Sequence, residues 1–358
     1  MSIPEQATEL SAAGSFSVLS AITVIPFSSP SAKNGTPSIH LIQHLQRHWA
    51  DIFPMPGNEE ITSLFKSDAL VRNTILAVTA CHLRHVSPGI LQHRIAEHFQ
   101  QSLALEYYQN ALDTPRDILG QSGVNALMLS AALLNLLAFA LPDCGTAGSE
   151  EHNLDSTTPW VFSTRTDRLG WLALQVGIKP LVLSMAPYLD RTMAYLSKIF
   201  IGSETESLIF TRTGPGLDGV PEKWIGFFEL DDASSGCGNM RPGDEFRAPA
   251  VLLAKLRHVK PIHTNVFKDL QFFGKVHTEF RQLLYDRNEK ALWLFGYWLG
   301  LMCRFQAMWW SEKRAKRDYM AIGVWLELRR LTERPGAEGE KWRQLMDEYY
   351  SAPVFNST

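Results

Sequence analysis

Residues 160–189 read WVFSTRTDRLGWLALQVGIKPLVLSMAPYL and lie mid-chain, between two long blocks of helical sequence. Most of the stretch is a nearly continuous apolar run that contains Gly177 and Pro180. Glycine and proline both weaken the interior of a helix. The stretch therefore predicts a helix over residues 167–176, a break at Gly177 and a second helix after Pro180.

The sequence on both sides of this stretch has helical periodicity, with apolar residues that recur every three or four positions. Helices are predicted over residues 39–53, 69–86, 91–112, 124–141, 249–259, 265–285, 289–310, 311–330 and 341–350. Asp68 is a predicted N-cap, and no segment shows the alternation of a strand. These patterns predict an all-α fold, a multi-helix array of paired antiparallel helices around an apolar core or pocket.

Two of these helices carry an apolar stripe that we expect to face the core. In residues 91–112 the stripe consists of Ile95, Phe99, Leu103 and Tyr107. In residues 311–330 it consists of Ile322, Trp325 and Leu328.

Three parts of the chain lack this periodicity. Residues 1–38 are rich in Ser, Pro and Ala, which predicts a disordered leader. Residues 202–249 are dense in Gly, Pro and Asp and predict a long loop with one short helical turn. Residues 351–358 are a short tail, so residues 39–350 are expected to form a single helical domain.

The composition limits the classes of function. Among 358 residues, 45% are hydrophobic and the net charge is -3, which gives no global attraction to nucleic acid or to an anionic membrane. The four cysteines are far apart and have no metal-ligand spacing, as in a reduced intracellular protein. Residues 124–141 just reach membrane-spanning length, but Asn125 and Asn135 are costly in lipid. We therefore expect a buried core helix and no membrane span.

Four motifs occur in a characteristic order over roughly residues 39–330. They are LVRNTILAVTACHLRHVSP at 70–88, ALEYYQNAL at 104–112, PWVFS with GWLALQVGIKPL at 159–181, and NEKALWLFGYWLGLMCRFQAMWW at 288–310. In order and spacing the chain resembles the C-terminal regulatory domain of fungal zinc-binuclear-cluster transcription factors, in the branch that includes sterol-uptake regulators. The resemblance implies an all-α regulatory domain with an apolar ligand pocket and contacts to partner or effector proteins.

The chain departs from that family in its cysteines. Family members carry a DNA-binding module in which a cluster of six cysteines binds two zinc ions. Here no cysteine precedes Cys81, and the four cysteines of the chain cannot supply those ligands. The chain thus resembles the regulatory domain without its DNA-binding module, which argues against direct binding to nucleic acid.

Two functions from different classes follow. The first is a transcription-factor-like regulator in the nucleus or cytoplasm, linked to secondary metabolism. It would bind an apolar small molecule of the sterol, terpenoid or polyketide class, a DNA-binding protein partner, or both. The alternative is an enzyme derived from the same scaffold that cyclises or isomerises an apolar natural product. No nucleotide or metal motif is present, so no cofactor is predicted in either case.

The candidate ligand pocket consists of aromatic residues near the central stretch. They are Trp160, Trp171, Trp293, Trp298 and Trp309. Aromatic residues at helical spacing are usually core, so a filled core and a ligand cavity are both open. Arg165, Asp167 and Arg168 are the polar groups expected at its mouth. For an enzyme, the candidate catalytic residues are His82, Asp167 and Arg168.

Three polar clusters complete the set of candidates. His40, His44 and His48 share one helix face and with Asp51 offer metal ligands, but they span more than one coordination sphere, and no metal site is predicted. His82, His85, His93 and His98 are expected to cap helices or to form hydrogen bonds between them. Lys313, Arg314, Lys316 and Arg317 are expected to be a solvated helix face, with a nuclear-import signal or a partner patch as alternatives.

Overall fold

The structure is a computed structural model. It describes residues 32–53, 59–140, 158–200, 216–230, 244–262, 265–270, 272, 278–306 and 308–355. Every regular element within these ranges is a helix, and none is a strand. This confirms the predicted all-α fold class, whereas the antiparallel pairing of the helices stays a prediction.

The α-helices are α1 (Ser38–Arg47), α2 (Trp49–Ile52), α3 (Glu59–Ser67), α4 (Ala69–Val86), α5 (Leu91–Asp113), α6 (Arg116–Phe139), α7 (Ala173–Ser184), α8 (Leu189–Phe200), α9 (Glu222–Phe228), α10 (Asp244–Leu256), α11 (Val266–Asp269), α12 (Thr278–Tyr285), α13 (Glu289–Met302), α14 (Glu312–Leu328) and α15 (Ala337–Ser351). Short 3₁₀ turns occur at Ala32–Asn34, Gly170–Leu172, Ala186–Tyr188 and Leu331–Glu333.

The chain divides into two compact units. The first unit consists of Met1–Leu137 and Met185–Ser203, and the second of Ala138–Ser184 and Glu204–Thr358. This division is finer than the single domain expected for residues 39–350. Of the long loop expected at 202–249, residues 201–215 and 231–243 lie outside the described residues. The helical turn predicted inside that loop is present as α9.

The first unit is built on α4 and α5, which pack side by side along their length. Helix α4 begins at Ala69 as predicted, and the carboxylate of Asp68 caps it by accepting a hydrogen bond of 3.0 Å from the backbone N–H of Val71. The buried residues of α5 are Ala96, Gln100 and Ala104, not the larger side chains of the predicted stripe. The small side chains of Ala96 and Ala104 let the backbones of α4 and α5 come close together.

The segment before α1 is tied to α5. The backbone N–H of Thr36 donates to the carbonyl of Gln92 at 3.0 Å. Gly35 has φ 77°, and a Cβ there would lie 2.4 Å from the backbone nitrogen of Ala96, so only glycine fits at this crossing. Residues 32–38 are therefore structured although they belong to the predicted leader, whose residues 1–31 lie outside the described residues.

Several helix boundaries predicted from the sequence are wrong, among them those of α7 and α13. Helix α7 continues through Gly177 and Pro180, because the φ of proline is already helical and its missing N–H removes only one hydrogen bond of the helix. The apolar helix predicted over residues 289–310 ends earlier, at Met302, and α14 begins separately at Glu312.

Helix α6 is the apolar helix expected near residues 124–141. It begins at Arg116 and has a kink at Gly120, whose φ of 61° is not helical. By length and composition it is the one helix in the described part of the chain able to cross a membrane, but 67% of its most apolar window is buried inside the protein. Burial of this extent is typical of a core helix.

The second unit is organised around α13, in which every residue from Ala291 to Met302 is buried. Helices α14 and α15 both pack against it. They come close at two glycines one turn apart, since a Cβ on Gly296 would lie 2.5 Å from the Tyr349 hydroxyl oxygen and one on Gly300 would lie 2.7 Å from the Cβ of Ala352. Tyr349 and Tyr319 stack at 4.8 Å and each donates its hydroxyl proton to the other's backbone carbonyl.

Gly296→Ala is expected to destabilise the second unit by about 1–3 kcal/mol, because the added methyl group overpacks against a Tyr349 ring that its hydrogen bond holds in place. Gly226→Ala is the matched control. It makes the same change at an exposed position of α9, where nothing lies within 4 Å of the new Cβ. It is expected to stabilise the protein by up to about 1 kcal/mol, because alanine has a higher helix propensity than glycine. Thermal and urea unfolding measure both effects. Equal stability of the two variants would show that the close approach at Gly296 is wrong.

Candidate functional site

The tryptophans of the candidate pocket lie in the second unit and pack against other rings. Trp160 contacts Phe295 edge to face at 6.0 Å, and Trp298 stacks on Phe272 at 5.2 Å. Trp293 stacks on Tyr297 at 5.0 Å and donates its indole N–H to the carbonyl of Leu345. Trp309 is 8% exposed. Ring contacts at these distances are those of a packed aromatic core.

Arg314 is buried within this aromatic cluster. Its guanidinium lies 4.6 Å from the centre of the Trp171 ring and donates at 2.6 Å to the carbonyl of Phe139, the last residue of α6. Burial lowers the pKa of Arg314 to about 10, while the carboxylate of buried Asp318 opposes that shift. The charge is therefore retained at neutral pH, held by a ring face, a helix end and a carboxylate. The prediction of a solvated face is wrong for Arg314, because the Trp171 ring and Phe139 at the end of α6 cover this side chain.

Arg168, a residue expected at the pocket mouth, and Arg287 attach residues 158–169 to the connection between α12 and α13. Arg168 donates to the carbonyl of Tyr285 and lies over its ring. Arg287, which begins that connection at φ 54°, donates at 2.7 Å to the carbonyls of Val161 and Ser163. These contacts give Arg168 a structural role.

Asp167 forms an exposed ion pair with Arg165 at 2.7 Å. The hydrogen bond from Arg165 lowers the pKa of the Asp167 carboxyl, so this group is a carboxylate at neutral pH and a poor proton donor.

Asp269 at the end of α11 is a buried acid of the second unit that the sequence did not single out. Its side chain is 1% exposed, and its Oδ2 atom has no hydrogen-bond partner. Burial raises the pKa of the Asp269 carboxyl to about 8, against the opposing charges of Arg304 and Lys268. The indole N–H of Trp298 donates to the Asp269 backbone carbonyl at 2.9 Å, which links the end of α11 to the aromatic cluster.

The histidines expected to cap or link helices converge in the first unit. His44 on α1 and His82 on α4 share a hydrogen bond of 2.9 Å between Nε2 and Nδ1. The His48 ring lies 4.7 Å from that of His44, and its Nδ1 lies 3.0 Å from Asp51. On α5, His93 Nδ1 pairs with the hydroxyl of Thr36 at 2.7 Å.

Burial, and then the neighbouring histidines, lower the pKa of both His44 and His82 to about 4. Each ring is neutral near pH 7, and a base so weak is far from the optimum for proton transfer at that pH. Across the described residues, no group of three or more His, Cys, Asp or Glu side chains is arranged to hold a metal ion. The pair therefore acts as a hydrogen-bonded link between α1 and α4, a role expected from the sequence for His82 but not for His44. Of the catalytic candidates, His82 belongs to the first unit, and Asp167 and Arg168 to the second.

A small apolar cleft lies in the first unit. Its lining residues are Trp49, Phe53, Ile61, Ile75, Leu129 and Leu133. Essentially none of its space admits a water-sized sphere, whereas pockets that bind drug-sized molecules have volumes of roughly 300–1,000 Å³. The cleft is too small, as described, to enclose a sterol or a polyketide.

The outer side of α14 carries apolar side chains in solvent. Met320, Val324 and Leu328 follow one another at intervals of four residues and are 57%, 48% and 68% exposed. Lys316, one turn before Met320, is also exposed, and we call these four residues the α14 face. The prediction that Leu328 belongs to the buried stripe is wrong, because Tyr319, Ile322 and Gly323 are the residues that approach α13 and α15. A row of exposed apolar side chains on a rigid helix is typical of an interaction surface.

The sequence missed two of these features. The α14 face has a signal in the sequence, since α14 has more apolar positions than one helix stripe can bury. The burial of Asp269 has no signal in the sequence, because an acidic residue in a short amphipathic segment looks the same whether it is exposed or buried.

Comparison of the chain with protein-family models, curated proteins and solved structures gave no match. The resemblance to fungal regulatory domains therefore stays a prediction.

Acidification is expected to destabilise the first unit. The ordinary histidine pKa is 6.5 and that of folded His44 and His82 is about 4, so between these values the unfolded chain binds more protons. Stability is thus fully present above pH 6.5 and is lost as the pH falls toward 4. His82→Gln keeps a hydrogen-bonding group without the charge change and is expected to flatten this dependence.

Calorimetric midpoints measured across that pH range test the expectation. His40→Gln is the matched control, because it removes an exposed histidine of α1. A His82→Gln variant as acid-sensitive as the unchanged protein would contradict the role of the buried pair.

Proposed function

We propose that the chain is a regulatory protein of the transcription-factor type, in the nucleus or cytoplasm, that acts by docking a partner protein. The α14 face is the observation that carries the proposal. Its exposed apolar side chains are held on a helix whose opposite side is locked to α13 and α15, so the surface is rigid before any partner arrives. Preorganisation of this kind lowers the entropic cost of binding.

Partner binding is preferred to a small-molecule pocket as the regulatory input. The tryptophans expected to line the pocket have ring partners or are buried, and the cleft of the first unit has essentially no space that admits a water-sized sphere. A DNA-binding partner would supply the contact with nucleic acid. No zinc cluster fits the four cysteines of these 358 residues.

The test replaces the chromosomal copy in the source organism with Val324→Asp, which puts a charge in the middle of the α14 face. We expect the transcripts of neighbouring biosynthetic genes to change as they do on deletion of the gene. Leu183→Asp, at an equally apolar residue of α7 that is 68% exposed, is expected to leave them unchanged. Unchanged transcripts on deletion of the whole gene would rule out the regulatory function.

A second candidate function is favoured by Asp269. A carboxyl group with a pKa of about 8 is protonated at neutral pH, and the backbone carbonyl of the same residue accepts a hydrogen bond from the Trp298 indole. This combination supports acid-initiated cyclisation or isomerisation of an apolar natural product without a cofactor. The carboxyl is 1% exposed, so a substrate would reach it only if the rings separate, and for this reason the regulator is preferred.

For the enzyme, a deletion strain should accumulate a compound that the purified protein converts. Asp269→Asn is expected to abolish the conversion, since the amide has nearly the same shape but no acidic proton. Asp286→Asn, at an exposed aspartate, is the control and should retain it. Chromatography coupled to mass spectrometry follows the compound. If no compound accumulates, or if Asp269→Asn is fully active, Asp269 has no catalytic role.

A further inference from the structure

The charges around the α14 face restrict what can dock there. Exposed or half-exposed cations lie at both ends of the helix, with Lys316 and Arg317 at its start and Arg329 and Arg330 at its end. Arg317 pairs with Asp318, Arg329 reaches Glu289 at 3.5 Å, and Arg330 lies 3.9 Å from Glu333. Lys316 lies in line with the apolar residues, exposed to solvent.

A second copy of this chain fits the face poorly. If two α14 helices paired in antiparallel fashion about Val324, Arg317 of each would approach Arg329 and Arg330 of the other. If they paired in parallel, Lys316 and Arg317 would meet their own counterparts. Like charges meet in both arrangements, which disfavours self-association through this surface.

An acidic partner fits both parts of the surface. The first turn of α14 carries Glu312 beside Lys313, and the helix dipole favours an anion at this end. A carboxylate docked near this end gains from the dipole and from Lys316 together. Apolar residues of a second helix, spaced by four, match Met320, Val324 and Leu328 in spacing.

Tyr350 of α15 extends the surface to one side. Its hydroxyl donates to Glu327, and its ring is 46% exposed beside Gly323. The hydrogen bond holds the Glu327 side chain beside the Tyr350 ring, so the side of α14 next to α15 carries an aromatic ring and one acidic residue.

We propose that the α14 face binds an amphipathic helix of a partner protein whose apolar residues recur every four positions and are flanked by acidic residues. This inference rests on the proposed regulatory function and names the chemistry of its partner. Desolvation of the apolar rows supplies the affinity, and the basic ends select an acidic helix over a basic one.

The test uses the full chain and a fluorescein-labelled peptide of about 16 residues, roughly four helical turns, with leucines every four positions and glutamates beside them. A peptide with the same leucines and lysines in place of the glutamates is the comparison. Fluorescence anisotropy is expected to show binding of the acidic peptide, weakened by salt, with the basic peptide about tenfold weaker or more.

Variants locate the binding surface. Val324→Asp and Lys316→Glu are each expected to weaken the acidic peptide about tenfold or more, and Leu183→Asp is expected to leave it unchanged. Circular dichroism confirms that each variant is folded, and both surface variants change only exposed side chains. Equal binding of the two peptides, or full binding by folded Val324→Asp, would overturn the proposal.

Self-association is measured by sedimentation in the same samples. A dimer that Val324→Asp dissociates would show that a second copy occupies the face, and the proposal would be wrong. Peptide binding that is lost in Val324→Asp, together with transcripts that do not respond to gene deletion, would keep the docking surface and reject only the transcriptional function.

Discussion

The close approach of three helices at Gly296 and Gly300 is the constraint on which the second unit depends. Helix α13 is buried on every side, so α14 and α15 must cover it without leaving gaps. The absence of side chains at the two glycines lets the Tyr349 ring and Ala352 reach the α13 backbone. The reciprocal hydrogen bonds of Tyr319 and Tyr349 then fix α14 against α15. As a consequence, the rotation of α14 about its own axis is determined, and so is the set of residues that it presents to solvent.

Buried polar groups in this protein follow two different electrostatic solutions. Arg314 stays charged because a ring face, a helix carbonyl and Asp318 replace its hydration. Asp269, His44 and His82 instead lose their charge, since burial is the largest cause of each pKa shift. The histidine pair is satisfied by its own hydrogen bond, whereas Oδ2 of Asp269 is left without one. An unsatisfied buried carboxyl is costly, which is why Asp269 is the residue of the second unit that most calls for a chemical explanation.

The sequence predicted the helices well where a local signal marks their ends. The Asp68 cap placed the start of α4, and periodicity located α5 and α13. Prediction failed where packing overrides a local rule, as at Pro180 inside α7, or where two faces of one helix are both apolar, as in α14. The tryptophans of the candidate pocket were recognised, but only ring-to-ring distances show that their neighbours are other rings. The burial of Asp269 and Arg314 depends on contacts distant in sequence, and no local pattern encodes it.

The contrast between the interior and the surface of the second unit is what favours a binding protein. An interior that binds an apolar molecule must leave space, yet here aromatic rings lie 5.0–6.2 Å apart, as in a filled core. A surface that had no partner would be expected to replace Met320, Val324 and Leu328 with polar residues, because exposed apolar rows favour unspecific association. The packed interior and the apolar surface are linked, because the close contacts at the same glycines leave no space inside and fix the orientation of α14. In the proposed function, rigidity inside the unit serves recognition at its surface, and the charge at the ends of α14 selects the helix that docks there.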